Sequence, residues 1–443
     1  MKLCDLTQFY SPVSGGVKRY VSEKVRFIRE NTTDEHILII PGERDEMIAG
    51  DRSRTYTIQS PLISRTSRYR VLLRLEAIER ILETERPDLI ECGDPYQVAW
   101  KAVHSGAALG IPVVGFYHSH FPEAYIRTVR KFCGHTVTEF FHDLSRRYIR
   151  SLYRRFARTI VPSPALGDLL ATWGVPNIAH TDLGVDTAVF HPQPAPREDL
   201  RAQLAIPRDR TLLLYVGRLA QEKNTQTLFA AFRQLAREFP DRFHLLVIGD
   251  GLQRSDLRDL QSQFTDHPSP ITHLPYCADA TKLAAHYRAA DIFVHPGVQE
   301  TFGLVTLEAQ ACGTPVIGIH GSYMDRIIHS EQTLWARENS PAALAAAIEE
   351  TSRADLKASN TRVSQLVAAQ YSWSEVFANL SPSTAKSSAS TARRGARRRE
   401  RGSPARYRAE AAIARSGSWR SSSRKRAFCA AVPMLTRIHS GSA

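Results

Sequence analysis

The chain reads as an α/β protein built from two successive parallel sheets, each with helices on both faces, followed by a segment with no core of its own. Three observations predict this. Short apolar runs bounded by turn residues alternate with helix-period segments, as in parallel strands joined by helical crossovers. The alternation stops at Asp182–Pro207, where Pro192, Pro194, Pro196 and Pro207 crowd together, and then resumes. At 443 residues the chain is too long for one ordinary core and suits two domains of about 200 residues each.

In the first unit, strands are expected at Lys2–Phe9, His36–Ile40, Asp88–Cys92, Pro112–His118 and Thr159–Ser163. Helix-period segments lie between them at Val17–Glu30, Tyr69–Glu85 and Tyr96–Leu109. The second unit has strands at Thr211–Val216, His244–Ile248, Ile271–Leu274, Ile292–His295 and Pro315–Ile319. Its helices include Gln226–Glu238, Lys282–Ala290, Val305–Cys312 and Pro341–Glu350. The expected domains are therefore 1–185 and 186–380.

After Leu380 the composition turns to Arg, Ser and Ala, and neither period survives. Residues 381–443 hold 15 Lys and Arg against two acidic residues, which accounts for the whole net charge of +13. Residues 1–380 balance at 43 basic and 43 acidic side chains, so the folded part gives no case for specific nucleic-acid binding. The tail cannot bury enough apolar surface to offset its ordering entropy and is expected to be disordered. It is either a basic arm for anionic partners or a non-native end. Isolated Trp419, Phe428 and Cys429 within motif-free Arg/Ser sequence favour the second.

The six cysteines show no CxxC spacing, which argues for a reducing compartment and against structural zinc. The N-terminus reads as a strand rather than a signal peptide, and no stretch approaches the ~20 apolar residues of a membrane span. A cytoplasmic protein is expected, at most peripheral at the inner membrane face.

Strand-to-helix turns carry the candidate chemistry. Ser14-Gly15-Gly16 precedes the helix at Val17, and Gly217-Arg218 follows a second-unit strand, with Lys223 five residues beyond. Glycine permits close backbone approach, and the helix N-terminus beyond it offers unpaired N–H groups to an anion. Arg218 can grip a phosphate with two N–H groups, and Lys223 adds a point charge. Gly249-Asp250-Gly251 closes another strand at the carboxyl end of the sheet, where such sheets bind ligands. Glu300 lies in a loop before Phe302-Gly303-Leu304, and Glu308 lies just over a turn into the helix those residues open. A carboxylate at either place can accept from sugar hydroxyls. Spacing alone leaves a solvated helix face as the competing explanation.

The segment Glu300–Glu308, continuing through Ala309, Gly313, Thr314, Pro315 and Val316, resembles the E-x-F-G-x-x-x-x-E-A-x-A-x-G-x-P-V signature of retaining GT-B glycosyltransferases. This is the large E-x7-E group with mannosyl-, glucosyl- and sucrose-synthesising members. Further matches run in order: Gly15-Gly16, Ser163, Gly184-Val185-Asp186 followed by Phe190, Gly217-Arg218 with Lys223, and Gly249-Asp250-Gly251. The resemblance covers residues 1–380 and implies two Rossmann-like domains facing across a cleft.

By that resemblance Arg218 and Lys223 hold the donor pyrophosphate, Glu300 the transferred sugar and Glu308 the ribose. Gly16, Gly217, Gly249, Gly251, Phe302, Gly303 and Leu304 line the donor site. His118, in Tyr-His-Ser-His-Phe-Pro at a strand end, matches a histidine placed by the donor sugar; His120 is a weaker match. The implied catalytic set is His118, Arg218, Lys223 and Glu300. The implied reaction moves a hexose from a GDP-mannose or UDP-glucose type donor to a glycan or lipid-linked acceptor. Attack is on the same face, with no carboxylate nucleophile, metal or other cofactor. Where relatives often carry Gly-Gly-x-x-Glu, this chain has Gly321-Ser322-Tyr323-Met324-Asp325, and its last helix, Tyr371–Leu380, ends at the basic tail.

The acceptor side is less legible. Arg146, Arg147, Arg150, Arg154, Arg155 and Arg158 interleave with Tyr148, Ile149, Leu152, Tyr153 and Phe156. At helical spacing this gives an apolar stripe beside a basic face, suited either to anionic lipid or to core packing with a solvated basic side. Two alternative functions are a nucleotide-sugar epimerase on the same fold, and anion or nucleic-acid binding through the tail.

Overall fold

The computed structural model describes residues 1–10, 15–63, 68–118, 135–193, 197–264, 269–298, 300, 302–322 and 324–380. Ser14, His120, Tyr323 and the basic segment 381–443 lie outside them.

The first domain runs β1 (Lys2–Leu6), α1 (Gly16–Asn31), β2 (Glu35–Gly42), β3 (Glu46–Gly50), β4 (Ser53–Gln59), α2 (Leu75–Glu85), β5 (Leu89–Cys92), α3 (Gln97–Leu109), β6 (Val113–Phe116), α4 (His135–Tyr153), β7 (Arg158–Val161), α5 (Pro164–Thr172) and β8 (Ile178–His180). Its sheet has the order β3-β4-β2-β1-β5-β6-β7-β8 and is parallel except for the β3–β4 hairpin. The second domain runs α6 (Arg197–Gln203), β9 (Thr211–Val216), α7 (Thr225–Glu238), β10 (Phe243–Ile248), α8 (Arg254–Gln261), β11 (Ile271–Leu274), α9 (Ala280–Ala289), β12 (Ile292–Val294), α10 (Leu304–Ala311), β13 (Val316–Ile317), α11 (Pro341–Arg353) and α12 (Lys357–Tyr371). Its sheet, β11-β10-β9-β12-β13, is parallel throughout.

Strand order reverses between β1 and β5 in one sheet and between β9 and β12 in the other. Crevices open at such reversals beyond the carboxyl ends of the strands. Gly15-Gly16 follows β1, Gly217-Arg218 follows β9, and His295 follows β12, so the glycine turns fall at these two points.

Core-facing stripes explain the helices. In α7, Thr225, Leu228, Phe229, Phe232 and Leu235 are buried at the three-and-four spacing of one helix face. In α1 the buried set is Tyr20, Val21, Lys24 and Ile28, so a lysine sits on the apolar stripe. Its charge is answered on the sheet beneath by Asp5 at 2.7 Å and Glu91 at 2.8 Å, with His36 2.6 Å from the other Asp5 oxygen. Ser163 caps α5 by accepting from the Leu166 N–H at 3.2 Å.

Several expectations need correction. The β3–β4 hairpin, β8 and α6 occupy stretches expected to be loop or linker. Helix α2 begins at Leu75, not Tyr69, and Arg70 instead forms an antiparallel bridge with Leu62. Ile149, Leu152, Tyr153 and Phe156 are at most 2% exposed and belong to the first-domain core, so this stripe offers no apolar face to lipid. Helix α4 also ends at Tyr153, which puts Arg158 on β7.

Several contacts join the two domains. Val185 N–H donates to the Tyr371 carbonyl at 2.7 Å, and Arg26 of α1 pairs with Asp186 at 2.9 Å. A final helix over residues 373–380 returns to the first domain, where Trp373 and Phe377 stack on each other and reach Tyr20 at 6.2 and 5.7 Å. Among the described residues no helix is long and apolar enough to cross a membrane.

Candidate functional site

The floor of the second-domain crevice is two interlaced turns. Gly249 has φ +141°, and a Cβ there would lie 2.0 Å from the Gly217 carbonyl oxygen, which no side chain permits. Leu219 N–H donates to the Asp250 carbonyl at 2.9 Å and Gln253 N–H returns to the Leu219 carbonyl at 3.0 Å; Gly251 sits beneath that same carbonyl. Arg218 projects from this floor, its side chain 66% exposed and 3.5 Å from Glu222.

Lys223 and Glu300 are brought together as an ion pair above the floor. Burial would raise the Glu300 carboxyl, but the Lys223 ammonium, with smaller help from His295, holds it below its ordinary range. His295, 5% exposed at the end of β12, is pushed down to about 4 by burial, so it is neutral at pH 7. Asn224 fixes the approach of Lys223: it takes a left-handed φ of +56° and donates to the Pro296 carbonyl at 2.8 Å. The carboxylate expected at the transferred sugar and the cation expected at the pyrophosphate thus hold each other.

Glu308, on α10, is 2% exposed. Tyr287 on α9 donates to its Oε2 at 2.9 Å, and Arg19 of α1 forms an ion pair with Oε1 from across the cleft. Phe190, from the linker, packs edge-on against Tyr287 at 6.0 Å and under the Arg19 guanidinium at 5.8 Å. The same meeting of domains brings Gly16 close to Leu304: a Cβ on Gly16 would lie 3.9 Å from Leu304 Cδ1. Gly303 opens α10 at φ +76°, with Met324 Sδ where its Cβ would stand. Phe302 is 2% exposed and lies beneath Arg326, which pairs with Asp182 of the first domain. Asp325 accepts from Gly321 N–H at 3.1 Å and so closes its own turn.

His118 lies on the first-domain side, two residues past β6. Its ring stacks on Phe116 at 3.9 Å, meets the edge of Tyr20 at 5.4 Å and rests against Gly93, where a Cβ would come within 3.0 Å. Burial, and then the Lys24 ammonium, push its imidazole down to about 3, so it enters neutral-pH chemistry uncharged. Tyr20 adjoins Arg19 in sequence, which links the His118 side of the cleft to the Glu308 side.

Nothing in the sequence marks Arg19, Tyr287 and His295 as site residues. Arg19 and Tyr287 act through Glu308, distant along the chain, and His295 through the charge of Glu300; no local motif marks these interactions. Among the described residues no group of three or more His, Cys, Asp or Glu is arranged to hold a metal ion.

What this arrangement offers is specific: one buried and one half-buried carboxylate for hydroxyl groups, two cations and a helix N-terminus for phosphate, and a neutral histidine opposite. The family profile described as Glycosyl transferases group 1 matches residues 196–363, and that described as Glycosyltransferase Family 4 matches residues 14–189. The chain is 26% identical over 324 residues to a GDP-mannose-dependent alpha-mannosyltransferase of Corynebacterium glutamicum, covering 72% of each. It is 28% identical over 355 residues to a GDP-mannose-dependent alpha-(1-6)-phosphatidylinositol dimannoside mannosyltransferase of Mycobacterium tuberculosis, covering 79% of this chain and 87% of that protein. Among solved structures it is similar to sucrose-phosphate synthase from Thermosynechococcus elongatus, with TM-score 0.67, 20% identity, and coverage of 87% and 98%. It is also similar to the Anabaena HepE protein in complex with UDP and glucose, with TM-score 0.66, 16% identity, and coverage of 87% and 100%. The chain belongs to the glycosyl transferases group 1 family and is a glycosyltransferase of the GT-B fold.

Proposed function

We propose that the enzyme is a retaining, metal-independent hexosyltransferase that uses a nucleotide-sugar donor, with GDP-mannose ahead of UDP-glucose. Its two working domains span 1–185 and 186–380, and residues 381–443 form an appended tail. The observation that carries this reading is the crevice itself. Lys223–Glu300 and Glu308–Tyr287 stand at the carboxyl ends of one parallel sheet, with Arg218 free of the fold's interior. The mannosyltransferase relatives support the choice of donor.

In this mechanism Glu308 accepts from the ribose hydroxyls and Glu300 from those of the transferred sugar. The bond between the anomeric carbon and the diphosphate oxygen breaks as the acceptor hydroxyl oxygen bonds that carbon on the same face. The hydroxyl proton passes to the departing phosphate oxygen. Negative charge then grows on the diphosphate, where Arg218, Lys223 and the N–H groups at the start of α10 can stabilise it without reorganising. Neutral His118 exchanges hydrogen bonds with the sugar and adds no charge to repel the developing oxocarbenium.

A glycan or lipid-linked acceptor is proposed. Exposed Phe140, Phe141 and Leu144 on α4, beside solvent-facing Arg147, support peripheral contact with anionic membrane on the cytoplasmic side. Thermal-shift measurements with GDP-, UDP- and ADP-sugars test the donor reading. A selective rise in Tm that Glu308→Ala abolishes supports it and names the base. No shift with any donor, on folded protein, overturns it.

A further inference from the structure

Glu308 is the group assigned to the ribose, yet its carboxylate is already engaged at both oxygens. Tyr287 donates to Oε2 at 2.9 Å and Arg19 pairs with Oε1. A ribose diol needs at least one of those positions. Tyr287 cannot readily leave, because it is fully buried and braced edge-on by Phe190 at 6.0 Å and Phe293 at 5.5 Å. Arg19 can: its side chain is 31% exposed, and it belongs to α1 of the opposite domain.

We propose that Arg19 is a placeholder for the nucleotide ribose, so that donor binding breaks the Arg19–Glu308 pair and releases an electrostatic tie between the domains. The proposal rests on Glu308 binding the ribose. Once displaced, the guanidinium has a second acid within reach. Glu23 lies one turn further along α1, where residues four apart are neighbours, and Arg19 already acts on its ionisation. Glu23 is bonded in turn to Arg26, which pairs with Asp186 of the linker at 2.9 Å. The face of α1 at 19, 23 and 26 is thus an ionic seam along the domain junction, and its end nearest the donor site is the part the ribose must open.

The consequence runs against simple electrostatics, since removing a cation should strengthen the binding of a nucleotide's ribose. Guanosine and uridine isolate that competition, because they carry the diol and no phosphate. With full-length protein, Arg19→Gln is expected to bind both nucleosides about twofold to fivefold more tightly, the range for release of one part-exposed ion pair. The gain should vanish in the Glu308→Gln background. Unchanged or weaker nucleoside binding by Arg19→Gln, with Glu308→Gln still weakening it, overturns the placeholder and leaves the ribose assignment standing. If Glu308→Gln does not weaken nucleoside binding, the ribose assignment itself fails. Should Arg19→Gln not fold, wild-type protein reads the same tie. Raising salt from about 0.05 M to about 0.5 M should tighten nucleoside binding if an ion pair must open. Flat or falling affinity contradicts the proposal.

Discussion

Glu300, half-buried, and Glu308, buried, are carboxylates eight residues apart, and each is answered by one cation; the cations come from different domains. Lys223 reaches Glu300 from within the second domain, so that pair forms wherever the first domain stands. Arg19 reaches Glu308 from α1, so that pair exists only while the domains meet. The difference teaches that one sheet holds two kinds of site: a self-contained half built around Glu300 and a half that registers the neighbouring domain.

Removing Lys223 should have the largest effect on turnover. Lys223→Ala takes a fixed cation from the departing diphosphate and is expected to lower kcat about 10²- to 10³-fold. Steady-state kinetics with the donor found by thermal shift check this, and an unchanged kcat would place the pair outside the chemistry. Phe377→Ala removes a ring stacked on Trp373 and packed against Tyr20 and Phe27, and should cost about 3 kcal/mol of stability in denaturant unfolding. A loss near zero would mean that the returning helix is not part of the folded core.

The same Lys223→Ala change also leaves half-buried Glu300 without its partner, at a cost of about 2 kcal/mol. Adding Glu300→Gln should recover most of that stability while leaving kcat low. Recovery of both would merge the two roles the comparison separates. A smaller effect concerns the first domain. Burial pushes the Asp94 carboxyl up to about 7, against donation from Gln8, Phe9 and Thr7. Because the folded value lies above the unfolded one, this group adds stability at low pH that is lost as pH rises from about 4 through about 7. Asp94→Asn should flatten that slope by at least about 1 kcal/mol between pH 5 and 8. An unaltered slope would assign the dependence elsewhere.

Much of this was legible in the sequence because the informative features are local. Strands β1, β9 and β10 announce themselves as apolar runs ending in glycine turns, and Glu300–Glu308 is one continuous segment. The hairpin Glu46–Gln59 escaped because Asp51, Arg52 and Arg54 break its apolar pattern, and a strand pair at a sheet edge needs little burial. Helix α6 hides among prolines; its anchor is Arg201, which reaches Asp291 of the distant β12 turn. Tyr287 looked like any core tyrosine of a helix, and Arg19 like a surface cation. Their meaning lies in Glu308, 21 and 289 positions away, and only the fold puts them together.

The division of labour between the two carboxylates is the central claim, and calorimetric titration of GDP and GDP-mannose into wild-type, Glu300→Gln and Glu308→Gln protein tests it most directly. Glu308→Gln should weaken both ligands alike, whereas Glu300→Gln should weaken GDP-mannose and leave GDP unchanged. Equal loss of GDP binding in both variants, or none in either, would contradict the account.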